Sequence, residues 1–177
     1  MTLASGTRAW QIWRDRRGRV APLRVIALAF LLVPAALLIH AYSSNGAPVR
    51  LWNDLVHRTG YWALIFMLVA LAITPIRRSG RFGGLLDARR LIGVGAFVYA
   101  TLHIGLYITD EKFDLVKVAL EIVKRLYLTI GFVAWLGLLA LAITSNDTMV
   151  KKLGSERWQR LHQITYVVAF LALIHFF

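Results

Sequence analysis

Apolar positions in this chain neither alternate nor scatter. They gather into five long runs separated by short, arginine-rich polar segments, near residues 25–42, 61–76, 91–108, 126–144 and 158–177. Each run is close to the ~20 residues that a helix needs to cross ~30 Å of hydrocarbon. The pattern predicts an all-α fold, a polytopic transmembrane helix bundle of about five spans. With so many spans, residues 1–177 are expected to form a single transmembrane domain. A cleaved leader would have a shorter apolar core than the first run, and four more spans follow it here. Pro34 lies inside the first run, where neighbouring helices are expected to repair the freed carbonyl. Pro75 is expected to end the second.

Two further segments have helical periodicity of another kind. The arm "RAWQIWRDRRGR", within the basic residues 1–24, sets Trp10 and Trp13 among arginines, as an interfacial helix does. In "KFDLVKVALEIVKRL", Phe113, Val116, Leu120 and Val123 share one face, while Asp114, Lys117, Glu121 and Lys124 share another. Both are expected to lie on the membrane surface. There is also a weak internal repeat. "TGYWALIFMLVALAITP" in the second span resembles "TIGFVAWLGLLALAITS" in the fourth, and Thr74 and Thr144 stand 70 residues apart. Leu/Ala-rich helices resemble one another by composition alone. A true repeat would relate two helical hairpins by an axis along the membrane normal, with the third and fifth spans facing each other.

Charge orients the bundle. The net charge is +12, and its placement between spans fits topology and anionic lipid better than nucleic acid. Of the 21 Lys and Arg, fifteen fall in the arm and in the loops after spans two and four. This puts the N-terminus in the cytoplasm and, after five crossings, the C-terminus in the periplasm. There is no cysteine, which excludes disulfides, thiolate metal sites and Cys-ligated iron–sulfur clusters. All nine Asp and Glu lie outside the predicted spans, against a carboxylate-based pump.

The histidines are the candidate chemistry. Ionisable residues inside a membrane are costly and point to function. His103 lies about 20 Å from the cytoplasmic end of span three, and His175 about 26 Å up span five. Two neutral imidazoles at similar depth on facing helices suit the two axial positions of a haem iron, an arrangement for electron transfer. Equally open on spacing alone is a pair of polar residues hydrogen-bonded between helices. Gly93, Gly95, Ala96, Ala100 and Gly105 fit either a flat macrocycle or ordinary close packing. His162 lies a turn inside the cytoplasmic edge, and its thirteen-residue separation from His175 leaves about 140° between them on an ideal helix. It serves a different centre or caps a cofactor edge, or it is an interfacial histidine in a basic collar. Arg89 and Arg90, at the inner end of span three, suit a haem propionate or a flavin phosphate. His40 and His57 lie at the outer edge.

The stretches "ARRLIGVGAFVYATLHIGLY", "KRLYLTIG" and "GSERWQRLHQITYVVAFLALIHF", with "HRTG" before span two and "LLALAITS" closing span four, resemble the MsrQ (YedZ) family. These are haem-containing membrane subunits of the bacterial MsrPQ methionine sulfoxide reductase system, with a ferric-reductase-like transmembrane fold. The resemblance covers nearly the whole chain from span one. It implies haem b held by the histidines matching His103, His162 and His175, and an association with FMN. It further implies an inner-membrane electron-transfer subunit rather than a catalytic one. Electrons would come from the quinone pool or a cytoplasmic flavin reductase and go to MsrP, the periplasmic molybdopterin subunit that repairs methionine sulfoxide in envelope proteins. Family members continue past the last histidine into a sixth helix, whereas here Phe177 follows His175 by two residues. Two alternatives remain beside this reading: a ferric-reductase-like haem subunit with another acceptor, and a cofactor-free membrane assembly or transport subunit.

Overall fold

The computed structural model describes residues 22–45, 50–79 and 85–177, and every regular element in them is helical. The elements are α1 (Pro22–Asn45), α2 (Leu51–Ser79), α3 (Leu85–Asp110), α4 (Leu115–Lys124), α5 (Leu126–Thr144), α6 (Asp147–Leu153), α7 (Ser155–His162) and α8 (Ile164–Phe176). Apart from Pro22 to Arg24, which open α1, the predicted interfacial arm lies outside the described residues.

Among the described residues four helices are long and apolar enough to cross a membrane: Pro22–Ser44, Leu51–Ile76, Ala88–Asp110 and Leu126–Ile143. The chain is a multi-pass α-helical membrane protein. Its outward faces carry large apolar side chains, Ile39, Leu37, Phe170 and Tyr166 among them, as hydrocarbon rather than water requires.

The fifth apolar run is divided. α7 stops at His162 and α8 starts at Ile164. At the junction the Gln163 amide is shared between the Gln159 and Arg160 carbonyls, both at 3.2 Å, and the Thr165 hydroxyl donates to the His162 carbonyl at 2.7 Å. This tightened turn separates α7 from α8. His162 and His175 therefore sit on separate helices.

Two helices extend past their apolar windows. α2 begins at Leu51, ten residues before the predicted span, so the segment containing "HRTG" is helical. Its polar turns hold together locally: Arg58 pairs with Asp54 at 2.7 Å, and the Thr59 hydroxyl donates to the Leu55 carbonyl at 2.7 Å. Pro75 does not end α2, which runs on through it to Ser79. α1 likewise runs through Pro34, and the Tyr99 hydroxyl of α3 donates to the Leu31 carbonyl in the preceding turn at 2.8 Å. The carbonyl left without its helical donor by Pro34 is that of Phe30, so this bond ties α3 to α1 beside the proline rather than at the freed group.

The packing is that of two hairpins. α2 lies along α3, and α5 lies along α8. Across the centre, α2 meets α8 and α3 meets α5 to a similar extent, while α1 flanks α3. Close approach is built from small residues. A Cβ on Gly95 would fall 2.3 Å from Leu31, and one on Gly137 would fall 2.4 Å from Val168. Phe66 is fully buried, with Phe30 and Tyr99 edge-on at 5.1 and 4.9 Å.

Candidate functional site

His103 of α3 and His175 of α8 meet. Their ring centres are 6.1 Å apart with an interplanar angle of 79°, and both side chains are half-buried. Each Nδ1 faces a backbone carbonyl: Val56 of α2 at 2.8 Å for His103, Tyr127 of α5 at 2.7 Å for His175. A carbonyl only accepts, so each Nδ1 carries the proton and each Nε2 keeps its lone pair. This is how ligating histidines are oriented by their surroundings.

The separation can be tested against a metal. Two metal–imidazole bonds of about 2.0 Å, with about 1.1 Å from each nitrogen to its ring centre, place two axial rings about 6 Å apart. The distance between His103 and His175 and their shared tautomer fit the two axial ligands of one haem iron. Among the described residues no three His, Asp or Glu side chains gather around a point that would hold a metal ion. The donor set is a pair, which suits an ion whose other bonds come from a macrocycle.

The surroundings of the two rings repeat. Gly60 lies one helical turn after Val56, and Gly131 one turn after Tyr127. Cβ atoms built there would fall 2.9 Å from the His103 ring and 2.6 Å from the His175 ring. Each histidine thus lies over a glycine on its partner helix and donates to the carbonyl one turn earlier. The carbonyls and the glycines are each 71 residues apart and the histidines 72, close to the 70 read from the ALAIT endings. The structural correspondence is therefore shifted by one to two residues from the repeat read in the sequence, which pairs Gly60 with Ile130, and neither glycine stood out in the sequence.

His162 lies elsewhere. It borders a cavity of about 730 Å³ with Arg89, Arg90, Gly93, Ser145 and Trp158, which neither His103 nor His175 touches. Its ring stacks on Trp158 at 3.8 Å. Nδ1 is 3.1 Å from the Trp158 carbonyl of its own helix and Nε2 is 3.3 Å from the Ser145 hydroxyl. No other histidine lines this cavity. The residue 72 positions before His162 is Arg90. The first hairpin therefore carries an arginine where the second carries a histidine. Arg90 pairs with Asp147 at 2.7 Å, and Arg89 donates to the Ala70 carbonyl at 3.3 Å. The small residues of α3 divide between roles. Gly93 and Ala96 line the cavity, Gly95 packs on Leu31, and Gly105 faces open space. His40 remains at the exposed end of α1, with Nδ1 3.4 Å from Ser44 Oγ.

Residues 59–173 match the family described as ferric reductase like transmembrane component. The chain is 43% identical over 123 residues to the protein-methionine-sulfoxide reductase heme-binding subunit MsrQ of Herminiimonas arsenicoxydans, covering 69% of this chain and 56% of that protein. It is 35% identical over 170 residues to the subunit of the same name in Polaromonas naphthalenivorans, covering 96% and 78%. The magnetosome protein MamZ of Magnetospirillum gryphiswaldense is 38% identical over 155 residues, 85% of this chain but 24% of that larger protein. The chain thus spans little more than half the length of some curated relatives it matches. No solved structure matches it. Fold and family model together make this a ferric-reductase-like transmembrane protein. Within that class, the chain belongs to the MsrQ family of haem-binding membrane subunits.

Proposed function

We propose that this chain is a transmembrane electron-transfer subunit that holds haem b between His103 and His175. The supporting observation is the pair itself: two rings 6.1 Å apart, each with Nδ1 tied to a carbonyl and Nε2 left to ligate. Haem held in this way supplies one-electron transfer with both axial positions filled. The helices hold each Nδ1 against a backbone carbonyl, which fixes the orientation of both rings.

In this reading the subunit takes electrons from the quinone pool or a cytoplasmic flavin reductase. It delivers them to a periplasmic, MsrP-like molybdopterin reductase that repairs methionine sulfoxide. The cavity bordered by Arg89, Arg90 and His162 is assigned to FMN. Its volume suits a ligand of that size, and the two guanidinium groups provide a site for a phosphate. His162, stacked on Trp158, borders that cavity on the opposite hairpin. The N-terminus is placed in the cytoplasm and the C-terminus in the periplasm, with the whole of 1–177 acting as one domain in the inner membrane.

The test is a reduced-minus-oxidised visible spectrum with pyridine haemochrome quantification, on wild type and on His103→Ala and His175→Ala in mild detergent. The expected wild-type result is a sharp low-spin b-type α band. Each variant should bind haem at least about tenfold more weakly. Normal haem content in either variant would remove that residue from the axial pair.

A further inference from the structure

Gly60 and Gly131 stand at the two places where a helix backbone passes directly behind a histidine ring. Every other described glycine meets something else. Gly95 meets Leu31, Gly137 meets Val168, and Gly93, Gly105 and Gly154 meet nothing within 4 Å. A methyl group at Gly60 would lie 2.9 Å from His103 Nδ1, and one at Gly131 would lie 2.6 Å from His175 Nδ1. Both distances are below ordinary van der Waals contact, and both involve the atom that donates to the carbonyl one turn earlier. A side chain at either position must therefore tilt or rotate the ring, or displace the helix, and lengthen that hydrogen bond. The arrangement occurs once in each hairpin, with the same four-residue spacing from carbonyl to glycine.

We propose that Gly60 and Gly131 are positioning residues, each seating one histidine against its partner helix so that the two imidazole planes are held nearly perpendicular. This rests on the axial assignment of His103 and His175. The plane angle has a direct electronic consequence. Each axial imidazole donates π density to one of two iron d orbitals. Perpendicular rings treat the two orbitals alike and keep them nearly degenerate, which gives low-spin ferric haem a strongly anisotropic EPR signal. Parallel rings split the two orbitals and give an ordinary rhombic signal. The 79° angle predicts the anisotropic signal for the wild type.

The experiment compares Gly60→Ala and Gly131→Ala with Gly95→Ala and Gly137→Ala by low-temperature EPR, haem titration and size-exclusion profile. The second pair imposes a closer approach, 2.3 and 2.4 Å, against Leu31 and Val168 instead of histidine. Gly105→Ala, with open space around it, serves as the neutral control. The expected result is a shift of the EPR signal toward the rhombic form, with haem affinity about tenfold or more lower, in Gly60→Ala and Gly131→Ala alone. The Gly95 and Gly137 variants should keep the wild-type signal even where their thermal stability falls. Unchanged signal and affinity in both Gly60→Ala and Gly131→Ala would overturn the proposal, as would equal changes in all four. A wild type that binds no haem, or binds it without His103, would refute the axial assignment instead. If one of the two glycine variants is lost to misfolding, the other decides the proposal by the same EPR signal and haem affinity, read against the Gly95, Gly137 and Gly105 variants.

Discussion

His103 and His175 each give the Nδ1 proton to a main-chain carbonyl, so no side-chain substitution on the partner helix removes the acceptor. This separates two roles of Tyr127. Its carbonyl orients His175, while its ring lies nearly parallel to the imidazole, 6.1 Å away at 17°. The ring is half exposed, and its hydroxyl receives a long 3.4 Å bond from Arg125. Tyr127→Leu should therefore keep haem content within about twofold of wild type, the range of an ordinary surface change. Pyridine haemochrome quantification checks this, and a loss comparable to that of His175→Ala would show that the ring is essential. At this scale the sequence made the ligands legible, because an imidazole in an apolar run stands out. The carbonyls were not legible, since every residue carries one and only the register of two helices selects Val56 and Tyr127.

Helix limits followed hydropathy only in part. The sequence places a loop before residue 61 because Asn53, Asp54, His57 and Arg58 interrupt the apolar window, yet these residues complete helical turns through i,i+4 bonds. That extension carries the Val56 carbonyl to His103. The amphipathic pattern of α4 was readable, and the structure adds what holds the helix down. Asp114 caps its first turn at 2.9 Å, Tyr107 of α3 donates to Glu121 at 2.5 Å, and Lys117 pairs with Glu111 at 2.5 Å. The face carrying Phe113, Val116, Leu120 and Val123 is left exposed, as a lipid-facing surface would be. The hydrogen bond from Tyr107 holds the Glu121 carboxyl below its ordinary value, with Arg125 and Lys117 acting in the same direction. A depressed carboxyl pKa contributes attachment that is complete above the free-carboxylate pKa, and it is lost as pH falls through the lower folded value. A nitroxide on Val123 should thus stay immobile at neutral pH and gain mobility only in acid. Tyr107→Phe, which removes the hydroxyl, should leave the label mobile already at neutral pH. A label equally mobile at both pH values would show that the Tyr107–Glu121 contact does not hold α4.

Among the described residues, α2–α3 and α5–α8 form two hairpins that correspond around the histidine pair at an offset of 71 to 72 residues, and the likeness ends at the cavity. At the α4 end both hairpins supply a histidine. At the other end one supplies His162 and the other Arg90, around a cavity rather than a ring pair. The sequence contained this repeat but could not separate it from Leu/Ala composition. Only the agreement of carbonyl, glycine and histidine in three dimensions does so. The fold thus sets the histidine pair and the cavity apart, with no residue shared between them, and the charge pattern predicts which of the two faces the cytoplasm. The loops after spans two and four, at the cavity end, carry nine Lys and Arg against six on the opposite side, so the cavity end should be inside. The histidine pair and α4 then lie toward the periplasm, where electrons would leave for a partner in the envelope. Reporter fusions test this directly. Alkaline phosphatase joined within residues 111–125 should be active, and joined within 146–154 it should be inactive, with a cytoplasm-active reporter giving the inverse. The opposite result would place the histidine pair toward the cytoplasm and exclude a periplasmic acceptor, while leaving the axial assignment untouched.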